Sequence, residues 1–327
     1  MRQYREYPYS SSLAAYIKEY ISEGRSLGFI YDTKAYQLYR FDQYWRDNGY
    51  DDVSITSERL EKWLAALPDE SRSSHSGRIG AVRSLAEYLN ILGIESYVPI
   101  IRVGKDHIIP HIMDESELSE FFDVADNHTP DSINPADYRM ADEYPIMFRF
   151  LYCCGMRNNE VCSLKTTDVN LEQGIITITD GKGQKDRIVY MPEDLRQLTG
   201  RYFDSLKKRL GYVPYWFFPG RWPEKHVTKT TLDRVFRNFW EMTEASSGCD
   251  KRPTPHSLRH GFVVDRINSW ILEGVDLEVM FIYLSKYLGH KDPDESFYYY
   301  HLVKDAFRIV RQKDTASSEV IPEVRRR

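Results

Sequence analysis

Two short stretches of this 327-residue chain combine residue types that could carry out chemistry. PHSLRH, residues 255–260, has an arginine between two histidines, and YLGHKDPDESFYYYH, residues 287–301, has three consecutive tyrosines after a glycine–histidine pair. A tyrosine hydroxyl titrates at about pH 10, so its use as a nucleophile requires neighbours that take its proton and stabilise negative charge. The rest of the chain must provide those neighbours.

Two further candidates lie earlier in the chain. Arg157 follows the apolar run YPIMFRFLYCCGM, and Lys182 lies in the glycine-rich turn DGKGQK. Considered singly, each has a structural explanation, because Arg157 can pair with Glu160 on the next helical turn and a lysine in a turn is usually solvated. His256 and His260, four residues apart, can cap a helix or bind a metal, but no HExxH motif and no acidic third ligand accompany them in the sequence.

Taken together, these residue types suit the attack of a hydroxyl group on a phosphodiester. Arg157 and Arg259 can hold the non-bridging oxygens of the pentavalent transition state. His256 can manage the proton of the tyrosine, Lys182 can protonate the departing oxygen, and His290 can add a hydrogen bond to the phosphate. Because a tyrosine ester retains the bond energy, rejoining would need no nucleotide cofactor.

The motifs CCGMRNNEVCSL, DGKGQKDR, HSLRHGF, YLGH and YYYH, in this order, resemble the tyrosine recombinase (phage integrase) family. They are weak singly and specific in combination. In that family the nucleophile stands nine residues beyond the glycine–histidine pair, which favours Tyr299 over Tyr298 and Tyr300. The resemblance implies no cofactor, no metal, and a catalytic set of Arg157, Lys182, His256, Arg259, His290 and the nucleophile Tyr299, with Glu160 supporting Arg157.

The resemblance also implies an activity and its partners. Members of the family cleave double-stranded DNA through a 3′-phosphotyrosine and exchange strands by way of a Holliday junction, usually as a tetramer on two duplex sites. Integration, excision or transposition of a mobile element is the implied role, and accessory DNA-bending proteins or partner recombinases can take part. Arg259 and His290 are 31 residues apart, which exceeds the spacing of shorter members and resembles the transposon-encoded branch. Asn158 and Asn159 replace the usual apolar and small residues.

The elements that position these residues are predicted to be mainly α-helices with a small β-sheet. Residues 10–95 predict four short helices, one ending at Gly24 and the next beginning at a capping Thr33. GIITIT and DRIVYMP predict a β-hairpin around DGKGQK. Later helices are predicted at about 193–210, 230–245, 256–270 and 276–288.

These elements divide the chain into parts that match the family's architecture. The resemblance implies a C-shaped clamp on DNA, formed by a helical core-binding domain and an α+β catalytic domain. VKDAFRIVRQK predicts a terminal helix with one apolar face, which we expect to pack within the protomer or to dock on a neighbouring one. The predicted parts are a core-binding domain at 1–99, a linker at 100–112, a catalytic domain at 113–314 and a flexible tail at 315–327.

Composition restricts the class of protein. A content of 42% hydrophobic and 28% charged residues is typical of globular proteins, and no run of 18 apolar residues predicts a membrane span. Four cysteines, without disulfide or zinc spacing, predict a cytoplasmic protein with reduced thiols. The net charge of −5 makes DNA a less obvious partner, but residues 156–327 hold 28 basic and 24 acidic side chains, and binding needs only a local basic face. Basic residues such as Arg78 and Lys229 could contact DNA, although any single basic residue is more often a solvated surface residue than a DNA contact.

Other functions remain open from the residues alone. A type IB topoisomerase or a telomere resolvase uses the same chemistry, and resolution of chromosome or plasmid dimers is another role for a recombinase. A DNA-binding protein without catalysis would not need Tyr299 together with Lys182. A histidine-based metallonuclease would lose activity in a chelator.

Overall fold

The structure is a computed structural model. It describes four parts of the chain: residues 4–104, 110–179, 186–289 and Tyr299. The chain divides into two compact units, Met1–Ile108 and Ile109–Arg327, each with its own hydrophobic core. The described residues are mainly helical with one small sheet, which confirms the predicted fold class. None of the described helices is long and apolar enough to cross a membrane.

The first unit is a group of helices around an aromatic core. Phe41 packs against Trp45 and Trp63 with ring centroids 5.5 and 5.1 Å apart, and all three rings are buried. Burial of such large rings is a major source of stability in a unit of this size. Its helices are α1 (Ala14–Ser26), α2 (Asp32–Asp47), α3 (Ser57–Leu64) and α4 (Arg72–Ile91).

Two predicted boundaries in the first unit are wrong, and Gly24 and Tyr31 explain both. Helix α1 continues through Gly24 to Ser26, because the absent side chain leaves room for the ring of Tyr31. A β-carbon at Gly24 would lie 2.1 Å from that ring. Tyr31 adopts a left-handed conformation, with φ at 51°, so α2 begins directly after it at Asp32, without the predicted cap at Thr33.

Arg78 is buried in the first unit, which removes it from the candidate DNA contacts. Its guanidinium donates hydrogen bonds to both oxygens of Glu70, at 2.9 and 2.7 Å, and to the carbonyls of Trp63 and Ala65. The hydrogen bonds from Arg78 lower the pKa of Glu70. This ion pair fixes the connection between α3 and α4.

The second unit surrounds its core with seven helices among the described residues, together with one three-stranded sheet. Asp114 and Glu117 form a capping box at the start of α5. The helices are α5 (Glu115–Asn127), α6 (Pro135–Cys153), α7 (Asn158–Cys162), α8 (Glu193–Leu210), α9 (Lys229–Glu241), α10 (Pro255–Glu273) and α11 (Leu277–Leu288).

The sheet is antiparallel, in the order β1 (Val169–Asn170), β2 (Ile175–Ile178) and β3 (Arg187–Tyr190). Ile176 of β2 pairs with Val169 on one side and with Val189 on the other. Ile176 and Val189 are buried against the core. The pairing of β2 with β3 confirms the predicted strands. The predicted turn DGKGQK lies outside the described residues.

Candidate active site

Helix α6 is central to the second unit, and its end brings Arg157 to the site. The chain leaves the helix through Gly155, which has a left-handed φ of 59°. A β-carbon at Gly155 would lie 2.5 Å from the ring of Phe262 on α10, so glycine permits the close packing of these two helices as well as the turn. Arg157 then occupies the N-cap position of α7.

Arg259 is a fully buried cation that connects the ends of two helices. Its guanidinium donates hydrogen bonds to the carbonyl of Gly155, at 2.5 Å, and to the carbonyl of Leu288, at 2.9 Å. The carbonyls at a helix C-terminus carry partial negative charge and lack partners within the helix, so they suit an arginine. Burial, and then the charge of Arg157, lowers the pKa of Arg259 to about 10, which leaves it charged at neutral pH.

Arg157 is held at the same end of α11 as Arg259. Its guanidinium donates to the carbonyl of Gly289 at 2.7 Å and to Glu160 at 2.9 Å, and its backbone N–H donates to Glu160 at 2.7 Å. Gly289 has a left-handed φ of 65°, and a β-carbon there would lie 3.2 Å from the guanidiniums of Arg157 and Arg187. The two predicted arginines are therefore brought together through adjacent carbonyls, those of Leu288 and Gly289.

Glu160 binds two arginines at once. Arg187, the first residue of β3, donates to both carboxylate oxygens of Glu160, at 2.8 and 2.6 Å, while Arg157 approaches from the start of α7. Burial alone would raise the pKa of Glu160, but the hydrogen bonds and charge of Arg187, with those of Arg157, lower it to about 2. Glu160 is ionised at neutral pH and fixes the orientation of both guanidiniums.

The two histidines of PHSLRH lie on the first turns of α10. Thr254 and Ser257 form a capping box, and Pro255 occupies the first helical position, so the sequence begins the helix at this point. The rings of His256 and His260 meet edge to face with centroids 4.5 Å apart. His256 is exposed at the surface. Partial burial of its ring, and then the charges of Arg259 and Arg157, lower its pKa.

Tyr299 lies buried beside this helix, with 4% of its surface exposed. Its ring packs in a cluster with Phe262, Val263 and Leu284. Its hydroxyl lies 2.8 Å from Nδ1 of His260. The negative charge that Tyr299 carries when ionised would raise the pKa of Arg259, which indicates that the hydroxyl and the buried guanidinium share one electrostatic environment.

The structure thus brings Arg157, Glu160, Arg259, His256 and Tyr299 to the region where α7, α10 and α11 meet. Lys182 and His290 lie outside the described residues, although the residue before His290 is Gly289, which binds Arg157. Neither the position of Lys182 nor that of His290 is tested, and their roles stay predictions. The arrangement provides cations, a buried hydroxyl and an imidazole, which are the groups that attack on an anionic ester requires.

Residues 111–305 match the phage integrase family. The chain belongs to that family. It is a tyrosine recombinase, an enzyme that transfers DNA strands. The tyrosine recombinase XerC of Bacillus licheniformis is 26% identical over 295 residues, which cover 89% of this chain and 90% of the relative. The tyrosine recombinase XerA of Pyrococcus furiosus is 26% identical over 246 residues, covering 75% and 74%.

Two solved structures share the fold of this recombinase. XerH bound to a palindromic difH substrate, in a post-cleavage complex, has a TM-score of 0.64 and 21% identity over 95% of this chain and 85% of that chain. The Tn1549 transposon integrase in complex with transposon right end DNA also has a TM-score of 0.64, with 16% identity over 91% and 99%.

Sequence reasoning missed two contacts of the recombinase site. Arg187 was read as part of a strand, and its pairing with Glu160 appears only when β3 is placed beside α7. His260 was noted as a neighbour of His256 without a role of its own. The available signals in the sequence were an arginine at the start of the predicted strand DRIVYMP and a second histidine four residues after His256. Among the described residues, no cluster of three or more His, Cys, Asp or Glu side chains could hold a metal ion.

Proposed function

We propose that this chain is a site-specific recombinase that cleaves and rejoins double-stranded DNA through a 3′-phosphotyrosyl intermediate on Tyr299. The observation that carries the proposal is the position of the Tyr299 hydroxyl. It is buried against α10, the helix that also provides Arg259, and is hydrogen-bonded to a histidine of that helix. Membership of the phage integrase family supports the same reaction.

In the proposed reaction, the hydroxyl oxygen of Tyr299 forms a bond to phosphorus and the bond from phosphorus to the 5′ oxygen breaks. Arg157 and Arg259 stabilise the charge on the non-bridging oxygens, and His290 adds a hydrogen bond to them. Lys182 protonates the departing 5′ oxygen. A histidine receives the proton of the tyrosine, and the sequence predicts His256 for this role. The step needs no cofactor.

A basic cleft beside His256 supports DNA as the substrate. It has a volume of about 510 Å³ and lies between the first turns of α9 and α10. Cations gathered on one surface provide the phosphate contacts that dominate DNA affinity, even on a chain with net negative charge. The cationic lining residues are Lys229, Arg234, Arg237 and Arg252.

We extend the proposal to the assembly and the parts of the chain. Residues 1–99 act as the core-binding domain, 100–112 as a linker, 113–314 as the catalytic domain and 315–327 as a tail. Four protomers exchange strands through a Holliday junction, in the cytoplasm, with or without accessory DNA-bending proteins or partner recombinases.

The proposed biological role is integration, excision or transposition of a mobile element. The 31-residue spacing from Arg259 to His290 resembles the transposon-encoded branch, and the Tn1549 integrase, bound to transposon end DNA, shares the fold. Resolution of chromosome or plasmid dimers is the alternative, because the curated relatives include several Xer recombinases.

Covalent trapping tests the proposal. The full-length protein is incubated, in a chelator, with a library of nicked duplex oligonucleotides from which the short fragment bearing the new 5′-hydroxyl diffuses away after cleavage. A detergent-resistant adduct on Tyr299, absent from Tyr299→Phe, is the expected result. An adduct on another tyrosine would contradict the choice of nucleophile, and loss of cleavage in the chelator would favour a metallonuclease. Trapped sequences that resemble element ends support a mobile element, whereas one palindromic site supports dimer resolution.

A further inference from the structure

His260, rather than His256, is the histidine that the structure places at the Tyr299 hydroxyl. Its Nδ1 lies 2.8 Å from the hydroxyl oxygen, and the centroids of the two rings are 5.3 Å apart. We propose that His260 is the base that receives the proton of Tyr299 when the tyrosine attacks DNA. This inference rests on the proposed function, because it needs Tyr299 to be the nucleophile.

The direction of this hydrogen bond follows from protonation. A tyrosine hydroxyl keeps its proton at neutral pH, and burial removes the water that would otherwise accept it. A neutral imidazole can accept at one nitrogen while the other carries the ring proton. In the resting protein, Tyr299 therefore donates to an unprotonated Nδ1 of His260, whose proton is on Nε2.

The charges around the two histidines favour a neutral imidazole before DNA binds. The described charged groups that act on His256 or Arg259 in this part of α10 are Arg259 itself, Arg157 and Glu160 at the start of α7, Arg187 at the start of β3, and Lys229 at the start of α9. Four of these five groups are cations, so burial first, and then the surrounding positive charge, disfavours a proton on His256. His260 is in ring contact with His256 and directly follows Arg259 in α10.

A bound phosphodiester reverses this balance. Its negative charge compensates the arginines, so that a proton on His260 is no longer opposed by an excess of cations. The base thus becomes effective when substrate occupies the site. In the step itself, the Tyr299 oxygen bonds to phosphorus, the hydroxyl proton passes to Nδ1 of His260, and the 5′ oxygen leaves with a proton from Lys182. In rejoining, His260 returns its proton to the tyrosine oxygen.

His256 has a separate place in this arrangement. It is one helical turn from His260, lies nearer the solvent and lines the basic cleft. This position suits a hydrogen bond to a phosphate oxygen or a bound strand. The two histidines of PHSLRH then have different tasks, with His256 facing the DNA and His260 facing the nucleophile.

One test needs no DNA. Nitrogen NMR of the full-length protein labelled at histidine reports which ring nitrogen carries the proton, and His260→Asn identifies the signal of His260. We expect an unprotonated Nδ1 whose signal shifts in Tyr299→Phe. A proton on Nδ1 of His260, or no response to Tyr299→Phe, would overturn the proposal without affecting the proposed function.

A second test measures single-turnover cleavage of the nicked duplex recovered by trapping. In His260→Asn the amide oxygen can still accept the hydrogen bond, but it cannot take the proton. We expect cleavage to fall by ~100-fold or more and to lose the rise with pH that a titrating base produces. Comparable thermal unfolding and DNA binding by the wild type and the variant establish that the fold is retained.

A substrate with sulfur in place of the 5′ bridging oxygen distinguishes the role of the base from that of the acid, because a thiolate leaves without protonation. It should restore cleavage in Lys182→Ala but not in His260→Asn. Rescue of His260→Asn, or a wild-type rate and pH profile in that variant while Tyr299→Phe is inactive, would overturn this role for His260 alone. An adduct that still forms in Tyr299→Phe would instead overturn the proposed nucleophile.

Discussion

Arg187 donates hydrogen bonds to both carboxylate oxygens of Glu160 across a separation of 27 residues in the chain. Both side chains are more than nine-tenths buried. The pair joins β3 of the sheet to α7, the helix that has Arg157 at its N-cap position. Arg187 therefore acts on Arg157 indirectly, through the carboxylate that the two share.

Replacement of Arg187 by alanine should weaken both stability and catalysis. Glu160 would remain buried with Arg157 as its described partner, and a lost charged hydrogen bond at a buried site costs about 1–3 kcal/mol. We expect this decrease in the free energy of unfolding, measured with urea, and a lower rate of adduct formation. Arg209→Ala is the matched control, because Arg209 pairs with Asp142 on the surface and should change stability by no more than about 0.5 kcal/mol. Equal effects of the two variants would contradict the role of Arg187.

Glu160 should also make the protein sensitive to acid. Because the folded-state pKa, about 2, lies below the ordinary value of 4.5, the ionised carboxylate stabilises the fold fully above pH 4.5. That contribution is lost progressively as the pH falls from 4.5 towards 2. Glu160→Gln should be less stable than the wild type at neutral pH and should lose less stability over this acid range. Denaturant unfolding at several pH values measures the difference, and parallel curves for the two proteins would rule the assignment out.

Gly155 should tolerate alanine poorly, for two separable reasons. The substitution adds backbone strain at a φ of 59° and places a β-carbon 2.5 Å from Phe262. Gly211→Ala provides the matched control, since Gly211 has a φ of 75° but no atom within 4 Å of the added carbon. We expect Gly155→Ala to lose about 1–3 kcal/mol more than the control, from overpacking, and to form less adduct. Similar unfolding curves for the two variants would show that the contact with Phe262 can relax.

The basic cleft beside His256 should determine the salt dependence of DNA binding. Arg237→Ala removes one cation from the lining, whereas Lys208→Ala removes an exposed cation from α8 that does not line the cleft. If Arg237 contacts a phosphate, the slope of log affinity against log salt should decrease by about 1 in Arg237→Ala and remain unchanged in Lys208→Ala. Fluorescence anisotropy on the trapped duplex gives both slopes. An unchanged slope in Arg237→Ala would remove this residue from the DNA contacts.

Local sequence patterns predicted the helices and strands well, because capping residues and apolar periodicity act within a few positions. Thr56 caps α3, and Asp114 and Glu117 form a capping box at the start of α5. The errors arose at positions where the local structure depends on a residue elsewhere in the chain. Helix α1 passes through Gly24 because Tyr31 packs there, and Arg78 is buried because Glu70 and two carbonyls satisfy it.

The same distinction applies to the candidate site. Arg157, Arg259 and Tyr299 were found from motifs whose order is recognisable along the chain. The partnership of Glu160 with Arg187 depends on the sheet, and the contact of His260 with Tyr299 depends on how the buried tyrosine packs on α10. Neither can be read from spacing, because each joins elements that are remote in sequence.

The carbonyls of Leu288 and Gly289 receive hydrogen bonds from Arg259 and Arg157, which are made 29 and 132 residues earlier during translation. A growing polypeptide that has not yet emerged from the ribosome beyond α11 lacks both anchors, so neither guanidinium can adopt its final orientation. The capacity to break DNA would then arise only near the end of synthesis. Abortive or prematurely terminated products that end before α11 should be harmless to the genome of the cell that makes them.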